Sequence, residues 1–174
     1  MSQVAHSRGL RNVSLEALLA LAPEALAVAK ASPDNMRLVL SAVALTDMLA
    51  AQIFYADETK HREAFGLKPK QDDSVFREKL AERDDDFRIL RDLAKAQKHV
   101  KLARSDSKGT RVIEGAHQMT GRSTGAWGTR AWNTGQMNGL TVAGYVVTLN
   151  NGSVRNVLNV VERAQEFLES CIKP

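Results

Sequence analysis

Apolar residues recur at helical spacing along most of this chain, and the exceptions fall in one block. Ser14 opens a run in which apolar positions return every three to four residues to about Lys30, with Pro23 inside it. Ser32-Pro33-Asp34 reads as a second helix start, with serine at the cap and proline in the first turn. That helix is expected to run to about Phe65 and to end at Gly66, with Pro69 beyond. From Leu38 to Ala56 it is apolar nearly all round, which predicts the most buried element of the fold. Asp73 or Ser74 opens a third helix reaching about Arg104, with a bend expected at 82–86. The helical period then fails. Thr110–Met119 reads as a short strand, and 120–139 as a glycine-rich loop. Leu140–Asn150 is the strongest strand signal, followed by an Asn151-Gly152 turn. Ser153 opens a last helix to about Ile172.

This order predicts a mainly α protein: a four-helix up-and-down bundle with a β-hairpin and Gly-rich loop inserted before the last helix. One domain over 1–174 is expected, with 105–152 as the insertion. The two strands should pair antiparallel, with 120–139 as an excursion at their far end. Aromatics make up only 5% of the chain, so Ala, Leu and Val must build the core, which favours closely packed helices.

Charge is placed unevenly. Residues 1–87 carry 11 Lys+Arg and 14 Asp+Glu, whereas 88–174 carry 13 and 6. A basic second half suits phosphate or RNA, and equally a solvated basic surface. Cys171 is the lone cysteine, on a stripe with Val157, Val161, Ala164 and Leu168. It excludes an intrachain disulfide and fits a core position in a protein of a reducing cytoplasm. The 19 residues of Leu38–Ala56 are long enough to cross a membrane, but Asp47 at their centre would be costly in lipid. A helix at the centre of a soluble bundle is expected instead. Asp47 should be buried with a partner, either in a structural ion pair or facing the third helix to fix Arg91 or His99.

Candidate chemistry concentrates in Arg88-Ile-Leu-Arg-Asp-Leu-Ala-Lys-Ala-Gln-Lys-His99. At 100° per residue, Leu90, Leu93, Ala94 and Val100 share one side, and Arg88, Asp92, Lys95 and His99 share an arc opposite. Two readings follow: an exposed charged surface, or a face enclosed by the hairpin, the glycine loop or a second subunit. In the second, His99 is the general acid–base group and Asp92 orients it, while Lys95 and Arg88 within the arc and Arg91 at its rim bind phosphate. In the glycine loop, Trp127 and Trp132 interleave with Arg122 and Arg130. The indoles suit base stacking or a protein contact, or they fold back as a local core, and the arginines suit phosphate. Asp57 and His61 stand four apart, but no third ligand accompanies them, and neither a metal nor a cofactor is expected.

Arg91-Asp92 followed by His99, within a small basic helical protein, resembles the HEPN superfamily. The interval of seven residues between Arg91 and His99 is longer than that family's usual one. The resemblance implies a helical, often dimeric protein that binds RNA or cleaves it without a metal, with Arg91, Asp92 and His99 at its site. The alternative is a non-enzymatic helical interaction module that binds a protein partner or itself through the Trp-containing loop.

Overall fold

The computed structural model describes residues 14–99, 111–123, 136–137 and 140–172. Six helices lie among them: α1 Leu15–Ala31, α2 Met36–Ala56, α3 Glu58–Phe65, α4 Asp73–Arg83, α5 Asp85–Lys98 and α6 Val157–Ile172. The strands are β1 Met119–Ser123, β2 Gln136–Met137, β3 Leu140–Thr148 and β4 Val154–Asn156. The protein is a mainly α bundle with a small antiparallel sheet inserted before the last helix. Helices α1, α2, α5 and α6 form the bundle, α4 lies on α2 and α5, and α3 joins α2 to α4.

Local capping explains where the helices begin. Ser14 accepts from the Ala17 amide at the start of α1. Asn35, past the Ser32-Pro33-Asp34 turn, caps α2 through the Arg37 and Leu38 amides. The helix expected to span 33–65 breaks at Asp57, whose carboxylate accepts from the Lys60 amide and starts α3. The third expected helix breaks at Asp84, which accepts from the Phe87 amide. An aspartate that can bond a backbone N–H offers the chain an alternative to continuing a helix. Asp72, rather than Asp73 or Ser74, caps α4. Gly66 closes α3 in the left-handed region at φ 62°, as its position after the helix requires.

β3 is the centre of the sheet. β1 runs antiparallel along one edge, with Met119 opposite Val147. β2 and β4 pair with its two ends, also antiparallel. The antiparallel pairing is as expected, but the first strand lies later than 110–119. Residues 111–115 are irregular and 116–118 form a single 3-10 turn. Gln118 holds that turn: its side chain accepts from the Glu114 and Gly115 amides and donates to the Thr148 carbonyl. The register shifts between Arg122 and Ser123. Opposite this shift, Gly144 adopts φ 133°, a conformation that side chains disfavour, and a Cβ there would lie 3.6 Å from Pro33. The next residue, Tyr145, donates its hydroxyl to the Asp34 carbonyl at 3.0 Å. The sheet is thereby seated on the α1–α2 turn.

The core is built from Leu18, Val43, Phe54, Phe76, Phe87, Leu90, Val161 and Leu168, among others, with Ile113 and Val147 carrying it into the insertion. α2 is the one described helix long and apolar enough to cross a membrane. It packs against α1, α3, α4, α5 and α6, and so occupies the expected central place. Along one side, Leu38, Leu45 and Met48 are only partly buried among the described residues.

Candidate functional site

α5 carries the charged candidates, and its surroundings decide what they can do. Its buried residues include Phe87, Ile89, Leu90, Leu93 and Ala94, but also Arg91 and Asp92. A helix buried over so wide an arc is enclosed on more than one side. The bundle covers the Leu90–Leu93 side, and residues 111–113 reach the Asp92 side.

Asp92 is 0% exposed and Arg91 3%. The Arg91 guanidinium donates to Asp92 Oδ1 from Nε at 3.2 Å and from Nη2 at 2.9 Å. Its Nη1 donates to Glu78 on α4. Asp92 Oδ2 accepts from the Val112 amide at 2.9 Å. Lys95 donates to the other oxygen of Glu78 at 3.1 Å. Burial pushes the Glu78 carboxyl up, but Arg91 and Lys95 outweigh it and hold the group below its ordinary range. The result is a chain of alternating charges, Lys95–Glu78–Arg91–Asp92, ending on a backbone N–H. It ties α4, α5 and the strand-leading segment together.

The expected arc of Arg88, Asp92, Lys95 and His99 therefore does not form an open face. Arg88 turns to the end of α4, donating to the Ala81 carbonyl at 2.8 Å and pairing with Asp85 at 3.4 Å. α5 stops at Lys98, so His99 leaves the helical arc. Its backbone is extended (φ −135°, ψ 123°), and its side chain is exposed. Arg122 is exposed on β1, opposite Gly144. Val100, Trp127, Arg130 and Trp132 lie outside the described residues.

Asp47 is 6% exposed and ion-paired, as its apolar surroundings require. Its partner is Arg77 on α4 at 2.8 Å, not Arg91 or His99. Arg77 also pairs with Asp73 one turn earlier at 2.8 Å, and Asp73 accepts from the Tyr55 hydroxyl at 2.9 Å. Burial disfavours the Arg77 charge, but Asp47 and Asp73 together hold its pKa above the ordinary value. Among the described residues, two atoms of the pair, Asp47 Oδ1 and Arg77 Nε, are buried without a hydrogen-bond partner.

The remaining candidates are structural. Asp57 caps α3, and His61 packs its ring 5.2 Å from Phe76 and 6.5 Å from Phe65. Among the described residues no group of three His, Cys, Asp or Glu is arranged to hold a metal ion. Burial pushes the Cys171 thiol up, away from thiolate chemistry, and the side chain packs on the core.

Burial also lowers the His61 pKa, against a smaller opposing effect of Asp57. The folded state then binds fewer protons than the unfolded chain below pH 6.5, the ordinary value. His61 stabilises the fold fully above that pH, and its contribution is lost as pH falls toward the lowered folded value. Urea unfolding should show stability declining from pH 7 to 5.5, with a shallower decline in His61→Leu. An equal slope in that variant would reassign the effect to another group.

Sequence patterning missed Arg77, Glu78 and Gln165. Gln165 is buried on α6, donating to the Ala22 carbonyl and to Thr46 Oγ1, both at 2.9 Å. Its only signal was a polar residue beside the apolar stripe of α6. Arg77 stands four residues after Asp73, a spacing that marks a helical ion pair but not its third member.

Two surface grooves accompany these clusters. One of 480 Å³ lies beside the end of α3, lined by Thr59, Arg62, Glu63, Gly66, Leu67 and Pro69. The other, of 230 Å³, lies between α1 and α2. None of the charged candidates on α5 lines either. Comparison with protein-family models, with curated proteins and with solved structures found no match.

Proposed function

We propose that this protein is a non-enzymatic helical interaction module that binds a protein partner or a second copy of itself. The observation that supports this is the use made of Arg91 and Asp92. Each guanidinium nitrogen of Arg91 is engaged by Asp92 or Glu78, and Asp92 accepts from Arg91 and Val112. At 3% and 0% exposure, Arg91 and Asp92 present little surface to a phosphate, and the groups on both Asp92 oxygens are Arg91 and Val112, not His99. The lone Cys171 is in keeping with a cytoplasmic home for such a module.

The HEPN-like reading, in which the protein binds or cleaves RNA, draws on a different observation. Lys98, His99, Arg122 and Arg155 are exposed, and the second half of the chain is basic. In that reading His99 moves the proton, and Lys95, Arg88, Arg122 and Arg130 hold phosphate. One experiment separates the two. Purified full-length protein and His99→Ala are each incubated with mixed-sequence RNA at low and moderate salt. The module reading expects no cleavage by either protein and no salt-steep RNA binding. Cleavage that vanishes in His99→Ala would overturn it in favour of a ribonuclease. Binding that fades steeply with salt would overturn it in favour of an RNA-binding protein.

A further inference from the structure

We propose that α3 and α4 form an acid-released flap: as pH falls they lift from α2 and α5 as one unit while the bundle of α1, α2, α5 and α6 stays folded. The chain marks the unit at both ends. A single non-helical residue, Asp57 (φ −146°, ψ 71°), separates α2 from α3, and another, Asp84 (φ −139°, ψ 124°), separates α4 from α5. Hinges are element-terminal residues of this kind, which absorb a change in φ and ψ. Between them, α4 packs on α2 and α5, and α3 packs on α2 and α4. α2 and α5 also pack on each other and on α6, so they keep a core without the flap. Charge holds the flap more than apolar area does. α3 buries one of its 8 residues, His61, and α4 three of its 11, Phe76, Leu80 and Ala81, whereas α5 buries 8 of 14. Few buried apolar side chains mark the parts of a fold that open first. The polar ties run to both supports. On α2, Asp47 pairs with Arg77 at 2.8 Å and Tyr55 donates to Asp73 at 2.9 Å. On α5, Arg91 and Lys95 both donate to Glu78.

Acid acts on this unit at three points, each in the same direction. Glu78 faces Arg91 and Lys95 of α5, while Lys79 beside it is paired with Glu82 on its own helix. Burial opposes the Glu78 charge, but the two cations hold its pKa below the ordinary 4.5. Asp72 caps α4, and its bonds from the Ser74 hydroxyl and amide hold its pKa below the ordinary 3.8. His61 meets Phe65 of its own helix and Phe76 of α4, and the charges acting on it are Asp57 and Lys60. Burial disfavours its charge and sets its pKa below the ordinary 6.5. Each contribution is complete above the ordinary value and is lost as pH falls through the lowered one. His61 is therefore lost first, and Glu78 and Asp72 follow. When the flap lifts, Phe54 of α2 loses the Phe76 ring 5.4 Å away, and Arg91 loses Glu78.

The test is amide hydrogen exchange on the full chain, read as protection factors so that the intrinsic pH dependence of exchange is removed. Between about pH 7 and about pH 4, the amides of α4 should lose roughly tenfold more protection than those of α2 and α6, the equivalent of about one charge-assisted hydrogen bond. Two variants, Glu78→Gln and His61→Leu, are each checked for an unchanged circular-dichroism spectrum. Glu78→Gln should lower the protection of α4 by a like factor already at neutral pH and leave that of α2 unchanged. His61→Leu should keep α4 protected to lower pH than wild type. Loss of protection that runs equally through α4, α2 and α6 would overturn the proposal, since only the whole fold would then open. So would a pH dependence of α4 that either variant leaves unchanged, since the group replaced would then not hold the flap.

Discussion

Asp92→Ala should destabilise the fold by about 3–5 kcal/mol, the cost of leaving a buried charge without its partner. Arg91, 3% exposed, would keep only Glu78, whose side chain is 39% exposed. The Val112 amide would also lose its acceptor. For a protein whose whole stability is roughly 5–15 kcal/mol, such a loss is large. Urea unfolding followed by circular dichroism measures it. Hydrogen exchange adds a local readout: the Val112 amide should lose protection before the amides of α2 do. Asp92→Asn should fall between wild type and Ala, since an amide oxygen still accepts but the charge facing Arg91 is gone. An Ala variant within about 1 kcal/mol of wild type would mean that solvent reaches the pair and screens it.

Asp47 should behave differently. Asp47→Ala should cost about 1–3 kcal/mol, because Arg77 keeps Asp73 and is itself partly exposed. Two atoms of the pair, Asp47 Oδ1 and Arg77 Nε, also lack a partner among the described residues. Replacing both members together, as Asp47→Leu with Arg77→Met, removes the charges and both orphans. The double variant should therefore recover most of what Asp47→Ala loses, as buried ion pairs replaced by apolar residues often do. A double-mutant cycle by urea unfolding checks this. A double variant as unstable as the two single losses added together would mean that Asp47 and Arg77 do not couple, and would overturn this expectation.

The contrast between these two aspartates marks how far the sequence could be read. Asp47 stands among apolar residues on every side of its own helix, so its burial and its need of a partner follow from local pattern. Asp92 stands on the polar side of its helix, and the pattern of α5 alone marks that side as exposed. What buries it is the 111–113 segment, which is distant in sequence and has no regular structure to predict. An arc of Arg88, Asp92, Lys95 and His99 requires a helix continuing past Lys98. The helix ends there, and a single change to extended backbone removes His99 from the set.

The start of α1 was legible because Ser14 bonds the adjacent backbone, a local interaction, whereas α2, α4 and α6 start on Asn35, Asp72 and Asn156 rather than on Ser32, Asp73 or Ser74, and Ser153. The internal breaks at Asp57 and Asp84 use the same local chemistry within longer helical patterns, where periodicity masked them. The β-branched run at 141–148 was legible as strand, since alternation and side-chain branching act within a few residues. Its partner was legible as an antiparallel strand but not at its position, because register is chosen by what the sheet packs on. Here Gly144 and Tyr145 meet the α1–α2 turn. The chain's local pattern thus determined a helical bundle with a sheet before its last helix, and a buried, paired Asp47. Tertiary structure alone decided that Arg77 is that partner and that Arg91 and Asp92 neutralise each other. Ion pairs depend on which elements meet, and periodicity within one element carries no information about its neighbours.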